Sequence, residues 1–222
     1  VEVLLGRSPG VASPDGVILI VDATNLERNL YLVSQVLEFG LPTVVALNMI
    51  DLAQRRGIRI DVVELERRLG VPVVSTQAKR GEGITALEAA LARVIEQGVR
   101  PISSPLPERF WEEVDRLAQA WEGRSWPRPL IARLLLDPTD DLLRLFLSES
   151  DGPEATALSS AKARLAEAGI VLPDVETTAR YQWINQTVQA VVHRPEREGR
   201  TAADWLDRLL THRFWGLGVF AA

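Results

Sequence analysis

Residues 43–57 read TVVALNMIDLAQRRG. The first five are apolar or β-branched, and the run stops at Asn48. That is the pattern of a short buried strand delivering a polar residue at its carboxyl end. Asn48 and Asp51 then lie three positions apart in what reads as the loop beyond the strand. Ligands of doubly wound sheets bind beyond the carboxyl ends of the strands, so this pair stands where a base could be read. Guanine presents N1–H and N2–H side by side. A carboxylate at Asp51 can accept both in a bidentate, charge-assisted pair, whereas adenine has an unprotonated N1 and no N2 amino group. Asn48 can bridge the base edge and a neighbouring loop, and the stem of Met49 can lie on the base face.

The flanking sequence repeats the theme. GVILIVDAT (16–24) and VPVVST (71–76) are two further β-branched runs ending in polar turns. Leu26, Leu30, Val33 and Leu37 recur at helical spacing between the first two strands, behind a Thr24/Glu27 capping box. Gly40 and Pro42 stop that helix. Asp61 and Glu64 open a short helix ending at Gly70, and another runs from about Ile84 to Gln97, closed by Gly98. Alternating strand and helix predicts an α/β half with a parallel sheet, over residues 1–100. Three strands make a thin sheet, so part of this unit is expected to lie outside these residues. The third strand leads into STQAKRGEG (75–83), where Ala78 is small enough for a backbone N–H to approach the guanine O6. An N-x-x-D pair alone is a weak signal, and turn residues account for it equally well.

After GVRPISSPLP (98–107), a Pro/Ser/Gly-rich linker, the chain reads as helix only. Phe110, Val114, Leu117 and Trp121 form one apolar stripe, widened by Trp111 and Ala118. Helices are predicted near 129–136, 140–148, 155–168 and 175–192, the last on the stripe Tyr181, Ile184, Val188, Val191. This all-α part spans 101–195. Residues 196–222 form a third segment. There Trp205, Leu206, Leu209 and Leu210 share a helical face with Arg208 and Arg213 on or near the polar side. Such a helix suits either a membrane interface or a bundle surface.

Composition narrows the function. The net charge of −5 over 222 residues gives no reason to expect nucleic acid as a partner. There is no cysteine, which excludes disulfides and thiolate metal sites, and His193 and His212 lie too far apart to suggest one. No metal site and no catalytic residue is predicted. The terminal FWGLGVFAA is nine residues where about 20 are needed to span a bilayer. With no initial Met and an apolar finish, the chain reads as an excerpt of a longer polypeptide.

The stretch VDATNLERNLYLVSQVLEFGLPTVVALNMIDLAQRRGIRIDVVELERRLGVPVVSTQAKRGEGITALEAAL (21–91) resembles the G domain of bacterial ferrous iron transport protein B. That family reads N-M-x-D where small GTPases usually have N-K-x-D. ARYQWINQTVQAVVHRPEREGRTAADWLDRLLTHRFWGLGVFAA (179–222) is similar to the family's passage from helical domain to first membrane helix. The resemblance implies that Asn48, Met49 and Asp51 read the guanine base of GTP or GDP. It implies the same of the last guanine loop, Ser75, Thr76, Gln77, Ala78 and Lys79, in which Gln77 stands where the family usually has Ser. It implies a parent at the cytoplasmic face of the bacterial inner membrane that couples GTP hydrolysis to ferrous iron transport. The helical domain would link nucleotide state to the parent's own membrane permease domain. A homo-oligomer is compatible with it.

No G-x-x-x-x-G-K-[ST] occurs in the 222 residues; GRSPGVAS (6–13) has neither the Lys nor the spacing. Without the Lys, the backbone cradle and the Mg²⁺-holding hydroxyl, phosphoryl transfer has no positioning. The expectation is weak or no guanine-nucleotide binding, with Mg²⁺ only in the complete protein, and no GTP hydrolysis by these residues alone. The fragment itself is expected to be soluble. Two other readings stay open: a degenerate, non-catalytic G-like protein acting as a helical protein-binding module, and part of a soluble ribosome-assembly GTPase.

Overall fold

The computed structural model describes residues 3–4, 10, 12, 14–98, 104–124, 126–139, 141–146 and 152–194. The amphipathic segment at 201–213, the apolar terminus and His212 lie outside the described residues, as do most of the GRSPGVAS stretch and part of the linker.

Strand β1 (Val17–Asp22) feeds helix α1 (Leu26–Leu37), and β2 (Thr43–Asn48) feeds the short helix α2 (Ile50–Arg55). A two-residue strand β3 (Arg59–Ile60) and helix α3 (Val62–Leu69) precede β4 (Val73–Ser75), which is followed by α4 (Ile84–Gln97). The main sheet has the order β1-β2-β4 and is parallel throughout, with Val17 beside Thr43, Asp22 beside Asn48 and Leu47 beside Ser75. Strand β2 is central, and its alternate residues enter different cores. Val45 and Leu47 pack with Leu30, Val33, Leu65 and Leu69 of α1 and α3, whereas Val44 and Ala46 pack with Leu87 and Ala90 of α4. Burial on both faces is why the run is apolar without alternation. On the α4 side of β1, Ile18 and Ile20 stay 41% and 72% exposed.

The helical half consists of α5 (Glu108–Ala120), α6 (Arg128–Leu136), α7 (Asp141–Phe146), α8 (Pro153–Glu167) and α9 (Leu172–Val191), after which β5 (Val192–His193) pairs antiparallel with β3. Phe110, Val114, Leu117 and Trp121 are buried together with Leu134, Leu135, Leu158 and Leu165. Helix α9 spans both parts: Leu172 and Ala179 lie against the helical core, and Ile184 and Val191 lie in the sheet's core. The predicted α/β half followed by an all-α half is the observed architecture.

Three local expectations are corrected. The Thr24/Glu27 capping box does not form, because Asp22 takes the capping role two residues early. Its Oδ1 accepts the Thr24 N–H at 2.7 Å and the Thr24 hydroxyl at 2.8 Å, closing a single 3-10 turn over Ala23–Asn25 before α1. Asp61 does cap α3, accepting from the Glu64 N–H, and Gly70 closes it at φ 71°. Tyr181, expected in the apolar stripe of α9, is 51% exposed and stacks at 5.7 Å against Tyr31 instead. The stretch after Asn48 is not a loop for long, since Asp51 already lies in the first turn of α2.

Candidate functional site

The carboxyl ends of β2 and β4 bring the sequence-predicted residues to one edge of the sheet. The Thr76 N–H donates to the Leu47 carbonyl at 2.9 Å, extending the β2–β4 ladder by one rung. Just beyond it, Asn48 Oδ1 accepts from the Ala78 N–H at 3.1 Å and from the Thr76 hydroxyl at 3.4 Å. One side chain thus ties the loop after β2 to the loop after β4. The Ala78 N–H, expected to face the guanine O6, is here bonded to Asn48. Thr76 is buried, while Ser75, Ala78 and Lys79 are exposed at the rim.

Met49 makes the turn between β2 and α2. It holds φ 61°, the one non-glycine residue with positive φ among the described residues. A side chain in this left-handed region is uncommon and signals a position over-determined by its surroundings. The Met49 carbonyl accepts the N–H groups of Leu52 and Ala53, both at 3.0 Å, so the strained residue starts the helix. Its side chain is 44% exposed at the same edge. Asp51 follows in the first turn of α2, where a carboxylate is favoured by the helix dipole. Arg55 Nη2 lies 2.6 Å from Asp51 Oδ2, one helical turn on.

The second loop is braced independently. The Gln77 N–H donates to the Glu82 carbonyl at 3.0 Å, and the residues between make a 3-10 turn over Ala78–Arg80. Gly83, at φ 82°, lets the chain pass so close that a Cβ there would sit 2.4 Å from the Ser75 carbonyl oxygen. Gln77 Oε1 is buried and has no hydrogen-bond partner among the described residues. Sequence reasoning did not single out Arg55 or Glu82. The i,i+4 spacing of Asp51 and Arg55 was the available signal for the first; nothing local marks the second.

A cavity of about 410 Å³ lies elsewhere, between α3 and α4 at the amino ends of the strands, lined by Leu41, Thr43, Val63, Val71 and Pro72 among others. It is remote from the Asn48–Asp51 edge. Among the described residues no group of three or more His, Cys, Asp or Glu is placed to hold a metal ion, and no helix is long and apolar enough to cross a membrane.

Comparison with known proteins bears on the family and the fold. The family described as ferrous iron transport protein B matches residues 10–91. The Fe(2+) transporter FeoB of Salmonella typhimurium is 36% identical over 211 residues, 93% of this chain and 26% of the relative. That of Escherichia coli is 34% identical over the same coverage. The chain therefore spans about a quarter of the length of these relatives. Among solved structures, the cytosolic domain of L. pneumophila FeoB superposes with a TM-score of 0.60 at 30% identity, covering 81% of this chain and 68% of that one. A GDP-bound mutant of S. thermophilus NFeoB gives 0.70 at 27% identity, covering 82% and 70%. The parallel sheet and its flanking helices thus place the chain in the class of G domains. Within that class it belongs to the ferrous iron transport protein B family.

Proposed function

We propose that these residues form the guanine-reading half of a GTP/GDP site in a ferrous iron transporter, together with the helical domain that relays nucleotide state towards a membrane permease domain. In this reading residues 1–100 belong to the G domain, 101–195 to the helical domain, and 196–222 lead to the membrane at the cytoplasmic face of the bacterial inner membrane. Asp51 accepts guanine N1–H and N2–H. Asn48 fixes the second loop, Met49 covers one face of the base, and the stretch Ser75–Thr76–Gln77–Ala78–Lys79 lines the O6 side. GTP hydrolysis and Mg²⁺ binding need a phosphate loop, which these 222 residues do not contain.

The observation that carries the reading is the bond from the Ala78 N–H to Asn48 Oδ1, which locks two strand-end loops beside the Asp51 carboxylate. GDP-bound and mGMPPNP-bound NFeoB of S. thermophilus are relatives of the same fold. The test is saturation-transfer NMR of the purified chain with GDP and with ADP. Transfer to the guanine H8 but not to the adenine protons, abolished by Asp51→Ala, is expected. Equal transfer to both bases, or guanine transfer that survives Asp51→Ala, overturns the assignment.

A further inference from the structure

The ribbon made by β3 and β5 stands apart from the main sheet and carries a feature that guanine recognition does not use. Arg59 lies opposite His193 and Ile60 opposite Val192. Ile60 and Val192 pack on the sheet's core, so the alternation of strand residues turns Arg59 and His193 outward, where both are exposed. Together with Arg194, Gln54 and Gly57 they line an open cleft of about 530 Å³.

The charge in this cleft is unbalanced. Among the described residues neither Arg59 nor Arg194 has a carboxylate at ion-pair distance. Several arginines elsewhere are matched, Arg67 and Arg68 by Glu64, Arg128 by Asp115, Arg164 by Glu113 and Arg180 by Glu38, while Arg28, Arg56 and Arg93 stand singly, without a carboxylate at ion-pair distance among the described residues. The two acids of the same stretch are engaged, Asp51 by Arg55 and Asp61 as the cap of α3. A chain of net charge −5 therefore gathers, on and just after one ribbon, an imidazole and two guanidinium groups that have no carboxylate partner among the described residues. Arg59 and Arg194 leave this exposed face with positive charge and no described counter-charge, which a bound anion would supply. Planar guanidinium donors suit the oxygens of a phosphate best.

The position of the ribbon says where such a phosphate comes from. Strand β5 follows directly on α9, and Thr201 lies seven positions on from Arg194, a reach of at most about 25 Å. There begins the sequence in which Trp205, Leu206, Leu209 and Leu210 alternate at helical spacing with Arg208 and Arg213, the pattern of a helix lying in a bilayer surface. We propose that Arg59, His193 and Arg194, with Gln54, form a site for the headgroup phosphate of an anionic lipid, seating this end of the domain on a membrane surface. The site is separate from the nucleotide loops and does not depend on the reading of Asn48 and Asp51.

The test is partitioning of the full 222-residue chain onto phosphatidylglycerol and phosphatidylcholine vesicles. Preferential binding to phosphatidylglycerol is expected, weakened roughly 25-fold by Arg59→Gln with Arg194→Gln, at about a five-fold loss per basic residue beside an anionic leaflet. Both positions are exposed, so the variant should keep its fold, checked by an unchanged melting temperature. Arg93→Gln, on the exposed side of α4, should leave partitioning within about two-fold of the parent, since it lies outside the patch that touches the surface. Wild-type binding by the double variant would place all affinity in the terminal segment and overturn the proposal. So would indifference to lipid charge. Stabilisation by inorganic phosphate through the same arginines without any vesicle binding would make the ligand a soluble anion and overturn the membrane assignment.

Discussion

The guanidinium of Arg180 lies 2.6 Å from the Glu38 carboxylate and has no solvent exposure at all. It is the largest fully buried side chain among the described residues, and it joins the two halves of the chain. Nη1 donates to the Ser34 hydroxyl of α1 at 2.9 Å, and Nε donates to Glu176 at 3.0 Å. Arg133 of α6 reaches the same Glu176 at 2.8 Å, and the Ser104 hydroxyl donates to the other Glu38 oxygen at 2.7 Å. Two arginines thus face two glutamates where α1, α6 and α9 meet. Helix α1 begins just beyond the carboxyl end of β1 and ends at Glu38, so this network ties the far end of α1 to the helical half.

Arg180→Met should therefore destabilise the chain by about 3–5 kcal/mol, because Glu38 would remain buried without its partner. Adding Glu38→Gln removes the stranded charge and should recover part of that loss. Urea unfolding of the single and double variants measures both. A loss under about 1 kcal/mol for the single variant would show that water replaces the guanidinium.

Asp51→Asn should exchange the base preference rather than abolish binding. An amide offers one acceptor and one donor, which match N1–H and the 2-oxo group of xanthine but leave the guanine amino group facing another donor. Discrimination of about ten-fold or more in favour of xanthosine diphosphate is expected, because a mismatched buried polar pair is strongly rejected. Competition between the two nucleotides in saturation-transfer spectra reads this directly. An unchanged guanine preference would remove Asp51 from the site.

Gly83 and Gly81 make a controlled comparison. Both have positive φ, at 82° and 72°. A Cβ at Gly81 would meet nothing within 4 Å, whereas one at Gly83 would lie 2.4 Å from the Ser75 carbonyl oxygen. Gly81→Ala should cost about 1 kcal/mol, the backbone strain alone. Gly83→Ala adds a clash with backbone that cannot step aside, so its cost should exceed about 2 kcal/mol. In thermal denaturation, where about 1 kcal/mol moves the midpoint of a chain this size by 2–4 °C, the two variants should separate clearly.

These relationships mark what the sequence could and could not carry. The strands were legible because β2 is buried on both faces, which forces an unbroken apolar run. Helices α1, α5 and α9 were legible from one-sided stripes, and α3 from Asp61 and Gly70 at its ends. Asp22 as a cap was missed because Thr24 and Glu27 match a commoner pattern, and only the backbone path decides which carboxylate reaches the N–H. The β3–β5 ribbon could not be read, since each strand is two residues long and the partners lie far apart in sequence. The buried Arg180 was invisible for a related reason. Its partners come from α1 and from one turn earlier in α9, and an arginine on a helix reads as solvent-facing until the packing is known. At the Asn48–Asp51 edge the residue types and spacing were readable, but the bond from Ala78 to Asn48 and the left-handed turn at Met49 arise only from the register of β2 against β4.

The helical half has its own buried carboxylate, and it sets a dependence on pH. Glu113 of α5 is 1% exposed and accepts from Arg164 Nε at 3.0 Å and Nη2 at 2.7 Å, with Arg116 at 2.5 Å on the other oxygen. The hydrogen bonds from Arg164 hold its carboxyl below the ordinary value near 4.5; burial opposes them, and the charges of Arg164, Arg116 and Arg109 add to the lowering. The unfolded chain therefore takes up this proton at a higher pH than the folded one. Stability from Glu113 is complete above about pH 4.5 and is lost as the pH falls through the lower folded value. Glu113→Gln cannot titrate, so it should be less stable than the parent near neutrality, by about 1.5–3 kcal/mol for charged hydrogen bonds reduced to neutral ones. That gap should close on acidification below pH 4.5, as the parent gains its proton. Urea unfolding of both chains between pH 7 and about pH 3 measures the convergence. A gap that stays constant across the range would mean that Arg164 does not stabilise the ionised carboxylate in the folded state.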